Sequence, residues 1–574
     1  MKKVKAHMIS RMTIKFSTIG LIAVTLATTL CSAEDGMDLE FVSQEFLGFT
    51  DTDSTDIENS TDQFISVANI SEMLSLIPED GMTINVNAFA IDNDGGGGIF
   101  QYHEAQSGIN NGGTIIDGWV RQYTEALNAK WWGATGDGIT DDQPAISAAL
   151  HYAYDNNLDI FFPKGSYKFS TEEDYYGIKH GFVEDSSGKS FRLFGEIGTK
   201  FITSMDGSNG NFKLLGFYGS STNNIIIEDI EFENTHGLTT NDVVAIYLQS
   251  SSGHKNMIIQ NCHFHGWSTA ISANGTKNLL IENNKFTAPL GHDNATNNSH
   301  PATYVRFNSN ANGVNQDAIL RNNYVEGYSG KDITTTTSKK AMDGFVYSAQ
   351  DSGGCNGMVI ERNTLLNLSE EAIAVSSYLY WDNDAEIRPI IIRNNYIDST
   401  LPKGSTHNTN YGILADSPNT NIYGNTIKAA YGILVYPVSA PMQFKDISIH
   451  QNKIYLTKST VNVLKAIFLA GYATGEMYPL RNVSVHNNDI YAIDIRLAED
   501  TKLIHTANIL NATIKDNNFF IENVILDGYD LNIYEFSQNC DNIEYGRESI
   551  HGSYTNLVVS LGSNTGITYI GTRD

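Results

Sequence analysis

Along most of this chain an apolar β-type run is followed by a polar pair and then another apolar residue. The pattern reads Ile281-Glu282-Asn283-Asn284-Lys285-Phe286 and returns as Leu320 to Val325, Ile360 to Leu365, Ile392 to Ile397, Ile422 to Ile427, Ile449 to Ile454, Val485 to Ile490 and Ile514 to Phe519. Its fourth place is held by Asn284, Asn323, Asn363, Asn395, Asn425, Asn452, Asn488 and Asn517, with Cys262 standing there one turn earlier. An imperfect repeat of β runs means units that bury their apolar faces only against one another. Short rungs with irregular insertions predict an all-β fold, a right-handed parallel β-helix rather than a propeller or a leucine-rich solenoid. Asparagine suits the turn, because it tolerates left-handed backbone and its amide can bond the equivalent amide one rung along.

A second strand recurs between the asparagine turns, as Ala270-Ile271-Ser272-Ala273, Tyr304-Val305-Arg306-Phe307, Gly344-Phe345-Val346-Tyr347, Ala372-Ile373-Ala374-Val375, Gly412-Ile413-Leu414-Ala415, Gly432-Ile433-Leu434-Val435 and Ala466-Ile467-Phe468-Leu469. Alternation predicts Ile271, Val305, Phe345, Ile373, Ile413, Ile433 and Ile467 as core, with the positions beside them facing out. One rung departs from small outward residues, presenting Tyr304, Arg306 and Asn308. The two longest ladder intervals flank it, and their insertions, Thr287 to Ala302 and Glu326 to Met342, carry His292, His300, Lys331, Lys339 and Lys340. A third insertion, Ser376 to Arg388, carries Tyr378, Tyr380 and Trp381. Long loops on a rigid scaffold are where function concentrates. They would wall a groove with bases on one side and aromatics on the other.

Ahead of the repeats, Trp131-Trp132-Gly133-Ala134-Thr135-Gly136-Asp137-Gly138-Ile139-Thr140-Asp141-Asp142 leads into a helix, with Asp142 able to N-cap it and Pro144 in its first turn. Ile146, Ala149 and Leu150 share one face, and Ile160-Phe161-Phe162-Pro163-Lys164-Gly165-Ser166-Tyr167 gives the next strand. Such a helix covers the open end of a solenoid, which would otherwise pair with other chains. This stretch resembles the opening motif of the pectate-lyase-like β-helix superfamily, and the preceding Ile70 to Trp119 pattern resembles the domain before that motif in secreted polysaccharide-degrading enzymes and phage tailspikes. The resemblance implies the fold and a carbohydrate substrate, and it speaks weakly to the reaction. Asp137, Asp141 and Asp142 read as turn and cap residues.

The expected organisation is a signal peptide over 1–33, an acidic disordered linker over 34–62, a small β-rich domain over 63–128, the β-helix over 129–527 and a C-terminal cap over 528–574. The first segment carries Lys2, Lys3, Lys5, Arg11 and Lys15, then an apolar run from Ile19 to Leu30 and the small residues before a cut after Ala33. That run is short for a membrane span, so a secreted protein is expected, extracellular or periplasmic. Net charge is −28, with 65 acids against 37 bases, which argues against nucleic-acid and anionic-membrane partners. Cys262, Cys355 and Cys540 allow at most one internal disulfide beyond the leader. Four glycines from Gly95 to Gly98 read as a turn, since no phosphate-binding motif follows.

In so acidic a chain, a local group of bases points to an acidic polysaccharide as partner. Arg and Lys neutralise carboxylates or sulfates. A lyase acting on a uronate must neutralise the carboxylate, take the C5 proton and protonate the leaving oxygen. Arg306 suits the first task, His300 or a lysine the second, and Tyr304 the third. Asn308, Lys339, Lys340, Tyr378 and Trp381 are expected to bind substrate. A hydrolase instead needs two carboxyls, and Asp343 and Glu371 stand at matching places of adjacent rungs, about 5 Å apart. A non-catalytic carbohydrate-binding adhesin is the third reading. Calcium is an open option without a clear ligand cluster, and the oligomer is open between monomer and trimer.

Overall fold

The computed structural model describes residues 65–571 apart from 177, 186, 206–210, 220–222, 237–241, 289–302, 309–314, 328–343, 349–353, 369–370, 377–385, 401–410, 438–443, 458–463 and 473–477. A small five-stranded sheet comes first, with Ile65–Asn69, Thr83–Ala88, Gly98–Tyr102 and Trp119–Gln122 as its longer strands. Val67, Ile84, Val86, Phe100 and Trp119 form its core. The four glycines are a structural loop: a side chain at Gly97 would collide with Asn87 O, and the loop carbonyls of Gly96 and Gly97 accept from the buried Arg121 guanidinium at 2.9 and 2.6 Å. Burial pushes that guanidinium down to about 9.

Beyond it each rung is built from three short strands, as in Thr269–Lys277, Leu280–Glu282 and Lys285–Thr287. Apart from the antiparallel pair Glu173–Tyr175 and Ile178–Glu184, the strands pair in parallel with their counterparts on the next rung. First and second strands run together in one 29-stranded sheet, and third strands form a 14-stranded sheet. The chain is a right-handed parallel β-helix. Ile271, Val305, Phe345, Ile373, Ile413, Ile433 and Ile467 are all fully buried as expected, but so are neighbours expected to face out, Ala270, Tyr304, Val346, Ala372 and Ala466.

The asparagine ladder is a continuous buried hydrogen-bond chain. Cys262 N donates to Asn284 Oδ1 at 2.8 Å, and the backbone and side-chain amides of Asn284 donate to Asn323 Oδ1 at 3.0 and 3.2 Å. The same pair of bonds repeats through Asn363, Asn395, Asn425, Asn452 and Asn488 to Asn517. The left-handed residue is the one before each rung's ladder asparagine: Asn283, Asn322, Arg362, Asn394, Gln451, Asn487 and Asp516 all have φ between 54° and 57°. The turn therefore divides its demands, strain at one position and bonding at the next.

Helix Gln143–Asn156 lies over the first rungs, with Ile146, Ala149, Leu150, Ala153 and Tyr154 buried. Asp142 does not cap it through its side chain. Its carboxylate accepts instead from Thr135 N at 2.6 Å, Thr135 Oγ1 at 2.9 Å and Gly136 N at 3.1 Å, pinning the preceding loop. Asp137 accepts from Ile139 N and Thr140 N, which lower its carboxyl to about 2, and Asp141 accepts from Ser170 N.

His151 on this helix stands 3.7 Å from Glu173 and 2.9 Å from Glu184, and these carboxylates raise it to about 9 from 6.5. A raised folded-state value means that the contribution is complete below pH 6.5 and is lost as pH rises through about 9. His151→Gln should flatten the pH dependence of thermal unfolding over that window. An unaltered profile would show that this pair does not hold the helix.

The ladder pattern fades from the sequence after Gly528, yet strands Leu531–Phe536, Asp541–Gly546, Ser549–His551, Asn556–Ser560 and Thr565–Tyr569 continue the parallel pairing. Cys262, Cys355 and Cys540 are buried free thiols.

Candidate functional site

The outer face of the first strands is where chemistry-bearing side chains gather. Pairing sets Tyr247, Ser272, Arg306, Tyr347, Ala374, Leu414, Leu434, Phe468, His505 and Glu535 in one row along the helix axis. Each alternates with a core residue, so the row faces outward. Parallel to it run Glu371, Tyr411, Tyr431, Lys465 and Lys502 on one side, and Asn274 and Asn308 with Ser376 and Asp416 on the other. Ala374, Leu414 and Leu434 form an apolar cluster outside the main core, packed by Tyr347, Tyr411, Tyr431, Tyr436 and Phe468. Burial, with the carboxylates of Glu371 and Asp416 nearby, raises the Tyr436 phenol.

Arg306 keeps its predicted outward row and is 5% exposed, between Ser272 and Tyr347. Asn308 is half-buried and donates to Ser272 Oγ at 3.4 Å. Tyr304 does not face out. It is fully buried against Phe286 at 5.3 Å between ring centres, and its hydroxyl donates to Glu326 O at 2.8 Å. Burial pushes its phenol far above the ordinary value. The chain bends between third and first strands, so two consecutive residues, Tyr304 and Val305, both point inward. A proton-donor role for Tyr304 is therefore withdrawn. Tyr304→Phe should leave any turnover intact and cost about 1 kcal/mol of stability, the worth of one buried hydrogen bond. Turnover lost in a chain of normal melting temperature would return Tyr304 to the site.

Of the paired carboxyls of the hydrolase reading, Glu371 is described: Val346 pairs with Ile373 and Tyr347 with Ala374, which sets Glu371 beside Gly344. A Cβ at Gly344 would collide with Glu371 O, so the two backbones touch there. Asp343, His300, Lys339, Lys340, Tyr378 and Trp381 lie outside the described residues. Glu371 stands on the face, next to Tyr411.

The sequence reading missed Tyr411, Tyr431, Tyr436 and Asp416. A signal was present: Tyr-Gly-Ile-Leu occurs at 411–414 and again at 431–434. The glycines there are forced, because a Cβ at Gly432 would lie 2.5 Å from Ala466 O. Among the described residues, no three His, Cys, Asp or Glu side chains come together as metal ligands.

A groove of about 710 Å³ lies elsewhere, on the outer face of the second strands, lined by Ile258, Leu280, Ile319, Val359 and Ile391. Its cations are already matched, Arg321 by Glu282 at 2.5 Å and Arg388 by Asp317. The first-strand face has the better claim, since it combines a cation, carboxylates and open aromatic rings.

Residues 126–180 match the family described as rhamnogalacturonase A/epimerase, pectate lyase-like, and residues 66–124 match the phage tail protein small four-stranded β-sheet domain. Two mannuronan C5-epimerases of Azotobacter vinelandii, AlgE1 and AlgE3, are similar at 33% identity over 126 residues and 29% over 144 residues. Those stretches are 20% and 24% of this chain but 8% and 7% of the epimerases, so the chain spans only a small part of them. PfbA, a surface adhesin of Streptococcus pneumoniae, is similar in structure with a TM-score of 0.51 at 17% identity, over 70% of this chain and 91% of PfbA. That likeness is one of fold.

Proposed function

We propose, for a chain that belongs to the pectate-lyase-like superfamily of parallel β-helices, that an acidic polysaccharide lies along the outer face of the first strands and is cleaved there by β-elimination at a uronate. The observation that carries this reading is Arg306, a cation set in the row of Tyr347 and the apolar cluster. Sugars present apolar faces to aromatic rings and acid groups to guanidinium. In the reaction the Arg306 charge neutralises the uronate carboxylate, which makes the C5 hydrogen acidic. A base removes that proton, the C4–O bond breaks, a C4=C5 double bond forms and the leaving oxygen gains a proton. Tyr347, beside Arg306 on the next rung, replaces Tyr304 as the phenol placed to handle protons. The leader-like residues 1–33 suit a protein exported to meet such polymers.

A second reading is favoured by the C5-epimerase relatives. Epimerisation begins with the same C5 proton removal but returns a proton to the opposite face and leaves the chain whole. The test is incubation with a panel of acidic polysaccharides in heavy water. Ultraviolet absorbance from the unsaturated uronate, with shortened chains, is the expected result. Deuterium at C5 of intact polymer would establish the epimerase. New reducing ends without absorbance would mean hydrolysis, and binding with no change in the polymer would leave an adhesin. Any of these three outcomes overturns cleavage by elimination.

A further inference from the structure

Five rungs beyond Arg306, about 24 Å at roughly 4.8 Å per rung, the same face carries a second group of ionic residues. Lys465 and Lys502 are direct neighbours on adjacent rungs, and His505 and Glu535 are neighbours in the next outward row. Glu535, 3% exposed, is 3.0 Å from Lys502 Nζ and 3.3 Å from His505 Nε2, and it accepts from Ser537 Oγ at 3.1 Å. Lys465 has neither a salt bridge nor a hydrogen bond among the described residues, and its ammonium stands 4.1 Å from the centre of the Phe468 ring. Glu535 acts on this half-buried ammonium only from a distance, as a charge and not as a bonded partner, and a buried charge without a bonded partner is costly. Burial and Lys502 push that amine down to about 8.

A second group is also unmatched. His505 Nδ1 is buried with no hydrogen-bond partner. Ser537 gives its only proton to Glu535, so the 2.9 Å contact from His505 Nε2 to Ser537 Oγ makes Nε2 the donor and leaves Nδ1 as an acceptor. Burial keeps this imidazole neutral, lowered to about 3. The cluster thus offers an ammonium with no salt bridge or hydrogen bond among the described residues, beside the rings of Phe468 and Tyr436, 6.1 Å apart.

We propose that Lys465, Lys502 and His505 form a separate sugar-acid subsite, in which Lys465 takes a carboxylate or sulfate oxyanion. The identity of the ligand rests on the polysaccharide reading above, whereas the oxyanion site itself does not. A chain of sugars would then be gripped at two points five rungs apart, which makes affinity depend on length.

The test uses the full chain with three oligosaccharides long enough to span that distance: an oligouronate, its carboxyl-reduced neutral form and a sulfated one. Calorimetry should show Lys465→Gln weakening the charged ligands about tenfold and Lys465→Arg restoring them. Comparison of the uronate and sulfate arms identifies the acid group. Equal affinities of wild type and Lys465→Gln, with equal melting temperatures, would overturn the inference and leave the polysaccharide reading standing. If no oligosaccharide binds wild type, that reading fails, and inorganic sulfate decides the site. In protein carrying labelled histidine, sulfate should shift the His505 resonance saturably in wild type and not in Lys465→Gln. No saturable shift would overturn the site outright.

Discussion

Asn395→Leu should lower the midpoint of chemical unfolding sharply, by the equivalent of about 2–6 kcal/mol, the cost of leaving two buried backbone groups unbonded. Asn395 Oδ1 accepts from Asn363 N at 3.0 Å and from Asn363 Nδ2 at 2.9 Å, while its own Nδ2 donates to Ile360 O at 2.9 Å and Asn425 Oδ1 at 3.0 Å. Leucine has similar bulk but can make none of these bonds, and the position is buried. The control is one residue away. Asn394 is exposed with φ 55°, so Asn394→Gly should be nearly neutral. Because each rung rests on its neighbours, the damage should spread to a block of rungs. Equal midpoints for Asn395→Leu and Asn394→Gly would show that the ladder contributes little.

Arg306→Ala should reduce turnover of the cognate polysaccharide by about 10²–10³-fold, the scale of losing one preorganised electrostatic contact in the transition state. Its place in the outward row, between Ser272 and Tyr347, gives the guanidinium a fixed address on the sugar path. Arg306→Lys should recover only part of the loss, because an ammonium keeps the charge without the two-pronged fork that meets a carboxylate. If KM rises while kcat holds, Arg306 binds ground state and transition state alike, and the elimination mechanism loses its electrophile. Melting curves of each variant separate this from unfolding, since Arg306 is nearly buried.

Repetition made the scaffold legible. A ladder asparagine must answer the same bonding demand on every rung, so Asn284 through Asn517 announce both the turn and its stacking. Ile271, Val305 and Ile373 stood out as core for the same reason. The site was harder to read, because alternation holds only while the strand is straight. At the bend before Val305 it breaks, which moved Tyr304 from the face to the core. The register of the next rung was hidden too: Phe345 and Val346 are both buried, and only hydrogen-bond register shows that Val346 is the partner of Ile373. The later rungs near Cys540 pair normally without the asparagine signal. Lys465, Lys502, His505 and Glu535 lie far apart along the chain, so only the stacking of rungs brings them into one cluster.

The most direct measurement is hydroxyl-radical footprinting of the full chain with and without an acidic polysaccharide that it turns over or binds. The account predicts protection of Tyr347, Tyr411, Tyr431 and Tyr436 on the first-strand face, with Tyr455 and Tyr491, stacked 4.3 Å apart on third strands, unchanged. Protection of Tyr455 and Tyr491 while the first-strand tyrosines stay reactive would contradict it.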